Sequence, residues 1–411
     1  MVLVERVSEI VAQSYATDAA LLAESRGSWP PADAGGDGKD GYRSTDLAAL
    51  GPAGAVRLTD RLAVVLATDA TAGDGAFAVI RVARDGGGAG WRRAVAGDGH
   101  SAFVAGAPMA SERAVGVDQT HDSVVVGERA IVKWFRHVGP GPSRAAILLA
   151  HLAAVGFDRI PAPLGSVTWR SPAGIELTLA QGDAFLPRAR DGWEWCVERA
   201  PGDPSVGRSL GELVRELHAA LASPSAVVRD PLGFADAEAV GHWRRAGLET
   251  LDEALTLTAD PALEAFAPGM RAVLAALPSA DVPIHPVHGD LHVGQVLEWS
   301  GGLVVIDFDG NPTLPAEANA IRQPRERDVA QMLTSLDHVG RVVEKRGGGD
   351  AATWIAATRE AFLAAVGPVD ERLLAAFEVE QECRELVYAA RFLPRWRYAP
   401  MATLRARFGG G

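Results

Sequence analysis

The pattern of hydrophobic positions changes along the chain. Between residues 56 and 106, short Val-rich runs alternate with Gly-Asp and Asp-Gly pairs, which is typical of an antiparallel sheet with tight turns. Residues 1–24 have an amphipathic pattern that predicts a helix, and the Pro and Gly cluster in 30–55 predicts a loop. We therefore interpret residues 1–108 as an N-terminal, β-rich cap.

The next part of the sequence predicts a small sheet with one long helix. Residues 121–135 read as two strands around a turn at Gly127-Glu128, and residues 143–157 have helical apolar spacing. Two further strands are predicted within 161–169 and 174–183.

From about residue 205 to the end, the apolar spacing is mainly helical. Helices are predicted at 205–222, 236–257, 262–277, 328–346, 351–367 and 370–393. One β-rich interruption, at 286–309, lies between two of these helices.

Composition and charge exclude several classes of protein. The net charge of −12 and the scattered basic residues argue against a nucleic-acid partner. The two cysteines, Cys196 and Cys383, are far apart and indicate neither a disulfide framework nor a zinc site, as expected in a reducing cytosol. No apolar run reaches the ~18 residues of a membrane span, and acidic residues interrupt the start of the chain, unlike a signal peptide. We expect a cytoplasmic protein without a membrane partner; the oligomeric state is not indicated.

Two motifs carry the candidate chemistry. His288 to Gln295 reads HGDLHVGQ, and Asp307 to Gly310 reads DFDG after a Val-rich strand. The order matches the kinase loop H-R-D-x-x-x-x-N followed by D-F-G, with Gly for Arg and Gln for Asn. Asp290 is then the catalytic carboxylate at the acceptor hydroxyl, while Gln295 and Asp307 offer oxygen ligands to Mg²⁺. Either motif alone could be a simple turn, but the ordered pair favours phosphoryl transfer.

A nucleotide anchor is expected on a strand before these motifs. Ala130 to Phe135 reads AIVKWF and resembles V-A-I-K, which would bring Lys133 to the α- and β-phosphates of ATP. Gln181 and Asp183, at the end of a later strand, are further candidates for nucleotide binding. Two features depart from protein kinases. The helix after Lys133 contains no acid from 143 to 155, and the turn at 119–123 replaces a G-x-G-x-x-G loop.

These motifs resemble those of the aminoglycoside-phosphotransferase-like kinases, and more closely those of the actinobacterial maltokinases. The specific parts are 288–295, 307–310 and the run RERDVAQM at 325–332. The resemblance implies an α+β, bilobal, protein-kinase-like fold with a β-rich N-terminal cap, and ATP and Mg²⁺ as cofactors. It also implies three parts: the cap at 1–108, an N-lobe at 109–200 and a mainly helical C-lobe at 201–411 with the catalytic loop and acceptor site.

The C-terminal region bears on the acceptor. Its Q-E-x-R-E helix and L-P-x-W-x-Y tail look like those of the maltokinase-related glucosamine kinases, so Glu382, Arg384, Glu385 and Trp396 are expected to bind the sugar along with Asp290. Carboxylates suit a protonated amine, and an aromatic face suits the apolar side of a pyranose. The same residues could instead form a solvated acidic helix face with Trp396 in the core.

Three functions follow from these observations. The first is a kinase that makes glucosamine 6-phosphate, and the second is a maltokinase that makes maltose 1-phosphate. The third, from a different class, is a kinase-like binding module without turnover, favoured by the missing acid after Lys133. The intact Asp290, Gln295 and Asp307 favour an enzyme.

Overall fold

The computed structural model describes residues 13–27, 51–68, 77–84, 91–115, 121–139, 143–171, 174, 176–200, 202–311 and 321–410. The chain forms two compact units. The first comprises residues 1–150 and 161–187, and the second comprises 151–160 and 188–411. The three-part division at residues 108 and 200 stays a prediction. Among the helices described, none is long and apolar enough to cross a membrane.

The first unit contains two sheets. Their strands are β1 Gln13–Ala16, β2 Gly51–Arg57, β3 Leu62–Thr68, β4 Phe77–Ala83, β5 Arg92–Arg93, β6 Glu112–Ala114, β7 His121–Val126, β8 Ala130–Phe135, β9 His137–Val138, β10 Pro163–Arg170 and β11 Glu176–Ala184. One sheet has the order β1-β10-β11-β8-β7-β6, and the other has the order β2-β3-β4-β5, with β9 also paired to β4. Among the described residues, helices α1 Ala19–Gly27 and α2 His100–Val104 lie within this unit, and α3 Arg144–Ala154 begins in it and ends in the second.

The two sheets share one hydrophobic core. Trp134 and Trp169 of the larger sheet are almost fully buried in the same cluster as Val64 and Leu66 of the smaller one. The indole nitrogen of Trp134 donates to the hydroxyl of Ser101 at 3.0 Å, which satisfies a polar group that burial would otherwise leave costly. The predicted cap is therefore packed into the sheet that follows it.

The second unit is mainly helical. Its helices are α4 Gly192–Arg199, α5 Ser205–Leu221, α6 Ala237–Thr258, α7 Pro261–Ala275, α8 Glu326–Lys345, α9 Ala352–Val366, α10 Glu371–Arg391 and α11 Tyr398–Phe408. Its strands are β12 Gly233–Ala235, β13 Val282–Pro286, β14 Val296–Trp299, β15 Gly302–Val305 and β16 Arg322–Gln323. β12, β13 and β16 form one small sheet, and β14 and β15 form a hairpin.

Most predicted elements are present, with exceptions at the start of the chain and in three short helices. Gln13–Ala16 was predicted to be helical but forms a strand, because it pairs in parallel with β10. Residues 51–55 were assigned to a loop but belong to β2. Helices α2, α4 and α11 were not predicted. Residues 1–12 of the predicted first helix and 30–50 of the predicted loop lie outside the described residues.

Candidate active site

Helix α8 holds the backbone of the loop that contains Asp290. The Asp328 carboxylate accepts hydrogen bonds from the backbone nitrogens of His288 and Gly289, both at 2.8 Å. The Gln331 side chain accepts from Leu291 N at 2.9 Å and donates to the Gly289 carbonyl at 3.0 Å. Residues three and four apart share one helix face, so a single face of α8 reaches successive loop residues.

Gly289 has the backbone conformation that this arrangement requires. Its φ is 85°, in the left-handed region that glycine adopts without a Cβ penalty. Its N–H and its carbonyl both bond to side chains of α8, so the peptide units on both sides of its Cα, including the one that leads into Asp290, are held in place.

His288 braces the loop against the segment that leads to Asp307. The His288 side chain is fully buried, and its Nε2 lies 2.9 Å from the carbonyl oxygen of Ile306. A carbonyl only accepts, so Nε2 carries the proton and Nδ1 is left to accept from the backbone nitrogen of Asp290 at 3.3 Å. One tautomer thus satisfies both bonds and joins the two motifs.

Asp290 is a half-buried carboxylate in a charged environment. Burial raises the pKa of Asp290, and the negative charges of Asp307 and Glu385 raise it further, while His292 and Arg384 act in the opposite direction. The amide nitrogen of Asn311 donates to Asp290 Oδ1 at 3.1 Å. A carboxylate with reduced solvation and a raised pKa is suited to accept a proton from a hydroxyl.

The β14–β15 hairpin brings the two candidate magnesium ligands together. Val296 pairs with Val305, and the backbone nitrogen of Ile306 donates to the Gln295 carbonyl at 2.9 Å. The residue after Ile306, Asp307, therefore lies beside Gln295 although 12 positions separate them in sequence. Asp307 has a φ of 64°, an uncommon conformation for a residue other than glycine and one that often marks a functional position.

Helix α4 is fastened to the same loop. Gly192 packs so closely that an added Cβ would lie 1.6 Å from the Val293 carbonyl oxygen. Asp191 caps the helix by accepting from the backbone nitrogen of Trp193 at 2.8 Å, and Trp195 Nε1 donates to the Val296 carbonyl. These contacts fix the direction in which the indole of Trp193 leaves the helix.

A cavity of about 940 Å³ opens beside Asp290 in the second unit. Side chains of α4, the catalytic loop, α8, α10 and the segment before α11 line it. They are Asp191, Trp193, Glu194, Val197, Glu198, Asp290, His292, Asn311, Gln331, Thr334, Ser335, His338, Val342, Arg346, Gln381, Arg384, Glu385, Tyr388, Leu393 and Trp396. Of the predicted acceptor residues, Asp290, Arg384, Glu385 and Trp396 are among them.

Glu385 is held in place by two neighbours in the cavity wall. Trp396 Nε1 donates to Glu385 Oε2 at 2.9 Å, and Gln381 Nε2 donates to Glu385 Oε1 at 3.2 Å. The Trp396 ring meets the Trp193 ring edge to face, with centroids 5.7 Å apart. The cavity thus combines an oriented carboxylate with two aromatic rings, a combination suited to a cationic sugar.

The prediction for Glu382 requires a correction. This side chain is 3% exposed and does not line the cavity; its Oε2 lies 3.0 Å from Nε2 of His338. In helix α10, Gln381 and Glu385 share a face with i, i+4 spacing, and Glu382 points away from that face toward α8. His338 lines the cavity, and Glu382 lies on the side of His338 that faces away from the cavity.

The predicted nucleotide-binding residues occupy one face of the larger sheet in the first unit. Lys133 of β8 is paired with Ser123 of β7 and with Gln181 of β11. Asp183 follows two positions after Gln181 and so projects from the same face, and Gln181 Nε2 donates to it at 3.2 Å. Of the turn at 119–123, positions 119 and 120 lie outside the described residues.

Several residues of the site were not predicted. Asp328 lies in the run RERDVAQM but had no assigned role. Gln331 follows Asp328 by three residues and His338 follows Gln331 by seven, so helical periodicity from Asp328 could have identified this face of α8. Trp193 could not be found this way, since its place depends on how α4 packs on the loop.

Comparison with known proteins shows the family of this chain. The phosphotransferase enzyme family (APH) matches residues 112–310. A glucosamine kinase of Streptacidiphilus jiangxiensis is 41% identical over 334 residues, covering 74% of this chain and 75% of the relative. A glucosamine kinase of Mycolicibacterium smegmatis (strain ATCC 700084 / mc(2)155) is 38% identical over 369 residues, covering 78% of this chain and 91% of the relative.

Solved structures of glucosamine kinases are similar to this chain over most of its length. A glucosamine kinase in crystal form B superposes with a TM-score of 0.75 at 36% identity, covering 88% of this chain and 94% of that one. A glucosamine kinase in complex with glucosamine, ADP and inorganic phosphate superposes with a TM-score of 0.72 at 36% identity, covering 87% of this chain and 93% of that one. The predicted α+β kinase-like fold with a sheet-rich N-terminal region is confirmed.

Proposed function

The chain belongs to the phosphotransferase family that includes the glucosamine kinases, and we propose that it transfers the γ-phosphate of ATP to the 6-hydroxyl of glucosamine. The observation that carries the proposal is the oriented Glu385 carboxylate in the same cavity as Asp290. One carboxylate is placed to pair with an ammonium, and the other to receive a proton from a hydroxyl. A related glucosamine kinase has been solved with glucosamine, ADP and inorganic phosphate, which supports both substrates.

Asp290 acts on the acceptor hydroxyl. It orients the 6-hydroxyl and takes its proton as the bond from O6 to the γ-phosphorus forms. The bond between that phosphorus and the oxygen bridging it to the β-phosphate breaks, and ADP leaves with the electron pair. Asn311 holds the Asp290 carboxylate by donating to Oδ1, so the other oxygen is left for the hydroxyl.

The residues at the hairpin fit a magnesium ion that binds together with ATP. In the part of the chain that the structure describes, no three His, Cys, Asp or Glu side chains form a metal cluster. Gln295 and Asp307, brought to neighbouring backbone positions by the hairpin, would offer two oxygen ligands, and phosphate oxygens of ATP would supply others. When bound, the ion neutralises charge on the transferred phosphoryl group.

On the first unit, Lys133 is assigned to the α- and β-phosphates. Its sheet face also carries Gln181 and Asp183 as nucleotide contacts. Asp183 lies diagonally across from Lys133 in the paired strands, within reach of a long side chain. We assign Asp183 to orient Lys133, in a protein whose α3 has no acidic residue.

Amine recognition is assigned to Glu385, with Trp396 beside it as the aromatic contact for the sugar. Arg384 also lines the cavity, and its guanidinium donates to Glu380 behind the wall. Arg384 thereby offsets part of the negative charge that Asp290, Glu385 and Glu380 concentrate here. This keeps the site selective for one ammonium rather than for cations in general.

The test is a substrate panel. The purified protein is incubated with ATP, Mg²⁺ and glucosamine, glucose, N-acetylglucosamine or maltose, and ADP formation is measured. Glucosamine should give the highest kcat/KM, with phosphate on O6 by NMR. Turnover of maltose alone would identify a maltokinase, and no turnover with any sugar would favour the binding module.

A further inference from the structure

A buried acid–base pair lies directly behind the acceptor cavity. His338 of α8 and Glu382 of α10 are 2% and 3% exposed, and their Nε2 and Oε2 atoms are 3.0 Å apart. The mechanism proposed above uses neither residue. Burying two ionisable groups is unfavourable unless they are paired, so their presence at this position calls for an explanation.

His338 belongs both to this pair and to the cavity wall. Its ring meets the Trp396 ring edge to face, with centroids 5.5 Å apart, and it lines the cavity together with Glu385. Nε2 of His338 is hydrogen-bonded to Glu382, and within the described parts of the chain Nδ1 of His338 has no hydrogen-bond partner. The imidazole therefore has one nitrogen available for a ligand.

We propose that His338 is an acceptor-positioning residue, whose Nδ1 hydrogen-bonds a hydroxyl oxygen of the bound amino sugar while Glu382 fixes the ring from behind. This inference rests on the proposed glucosamine kinase activity. Glu385 and His338 then bracket Trp396: the carboxylate accepts from the indole nitrogen, and the imidazole contacts the ring. An amino sugar on Trp396 would meet an acceptor for its ammonium at one side and a donor for a hydroxyl at the other.

The charges around His338 favour the donor role. Burial alone would lower the pKa of His338, but the Glu382 carboxylate, followed by Glu385 and Asp337, raises it to about 8. Glu382 and Glu385 face it from α10, and Asp337 precedes it on α8 and pairs with Arg359 of α9. An imidazolium donates from both nitrogens, one to Glu382 and one to the cavity.

The same charge orients the sugar. An imidazolium repels the ammonium and attracts hydroxyl oxygens, so the amine is directed to Glu385 rather than toward α8. With the amine fixed at one end and a hydroxyl at the other, the remaining freedom of the pyranose about Trp396 is restricted, which favours one hydroxyl at Asp290.

Two isosteric substitutions separate this role from a purely structural one. His338→Asn places an amide NH₂ near the position of Nδ1 and loses the bond to Glu382. His338→Gln places its amide near the position of Nε2, keeps the bond to Glu382 and loses the cavity donor. We expect His338→Gln to raise the KM for glucosamine about 10- to 100-fold with kcat changed less than about threefold, and His338→Asn to raise it much less.

The contrary order, with His338→Gln near wild type and His338→Asn strongly impaired, would show that His338 only satisfies Glu382 and would overturn the inference. Wild-type protein that does not phosphorylate glucosamine would instead overturn the proposed function. If either variant fails to fold, ¹⁵N-histidine NMR of the wild type decides: the Nδ1 resonance of His338 should shift on saturation with glucosamine, and an unchanged resonance excludes the contact.

Discussion

The Asp328 carboxylate accepts a hydrogen bond from the backbone nitrogen of Gly289 at 2.8 Å, one residue before Asp290. The other carboxylate oxygen accepts from His288 N at 2.8 Å and lies 3.0 Å from Nε2 of His218. Asp328 is fully buried, so it contacts no acceptor sugar. It instead fixes the peptide units on which the position of the Asp290 side chain depends.

Asp328 should make stability depend on acid pH. Burial alone would raise the pKa of Asp328, but hydrogen bonds and charge from His218, His288 and Gly289 hold it at about 2, below the usual value of about 3.9. A depressed folded-state pKa stabilises the protein above pH ~4, and this contribution, about 2 to 3 kcal/mol at neutral pH, is lost as the pH falls toward 2.

Asp328→Asn tests this linkage. The amide keeps the shape of the side chain but turns one acceptor into a donor facing backbone N–H groups, so the free energy of unfolding should fall by about 2 to 4 kcal/mol at pH 7. Its dependence on pH between 4 and 2 should also flatten. Denaturant unfolding at several pH values measures both.

Asp252→Asn, at an exposed ion pair with Arg271, is the control and should change stability by less than about 1 kcal/mol. An unchanged pH slope in Asp328→Asn would contradict the linkage.

The sequence alone located the two motifs, whose roles stay predictions, but not most of the residues that line the cavity beside them. His288 to Gln295 and Asp307 were identified because phosphoryl transfer restricts both residue type and order. The sequence also predicted β structure between the two motifs, as a Val-rich strand, but not that it forms the β14–β15 hairpin that brings Gln295 near Asp307.

What could not be read depends on tertiary packing. Glu382 and Glu385 are three residues apart on α10, and only the position of α8 decides that one lies behind His338 and the other faces the cavity. Likewise, β1 is a strand only because β10 offers an unpaired edge. Local preference gives no information about either neighbour.

Asp290→Asn should lower kcat by about 10² to 10⁴ while leaving the fold and nucleotide binding nearly unchanged. Asparagine keeps a carbonyl oxygen for the Asn311 contact but cannot take a proton from the acceptor hydroxyl. Steady-state kinetics with glucosamine, together with calorimetric titration of ADP, separates chemistry from binding. Asn311→Ala removes the donor to the Asp290 carboxylate but leaves the carboxylate itself, so it should cost less. Near wild-type turnover in Asp290→Asn would remove Asp290 from its catalytic role.

Asp307→Ala should weaken magnesium-dependent binding of ATP and nearly abolish transfer, and Gln295→Ala should have a milder effect. The reason is that a carboxylate contributes both charge and a ligand atom, whereas an amide contributes only the atom. Calorimetric titration of ATP with and without Mg²⁺ measures this difference. Asp230→Ala, at an exposed carboxylate that does not line the cavity, is the matched control. If the magnesium dependence survives both substitutions, Gln295 and Asp307 are not the ligands.

The choice of sugar provides a test that depends on a single charge. Wild type should prefer glucosamine over glucose by about 10- to 150-fold in kcat/KM, since a charge-assisted contact in a desolvated site contributes about 1.5 to 3 kcal/mol. Glu385→Gln keeps an acceptor for the indole nitrogen of Trp396 but removes the negative charge, so this preference should fall toward 1 through loss of glucosamine turnover alone.

Two further variants show whether the preference resides in Glu385 itself. Glu194→Gln, at an exposed carboxylate on the α4 side of the cavity, should leave the ratio intact if the general negative charge of the cavity is not responsible. Glu382→Gln should raise the KM for glucosamine and glucose alike, because Glu382 acts through His338 on a hydroxyl that both sugars share. Kinetics with both sugars in all four proteins decides the matter. Equal efficiency for glucose and glucosamine in wild type, or a collapse of the ratio in Glu194→Gln, would contradict amine recognition by Glu385.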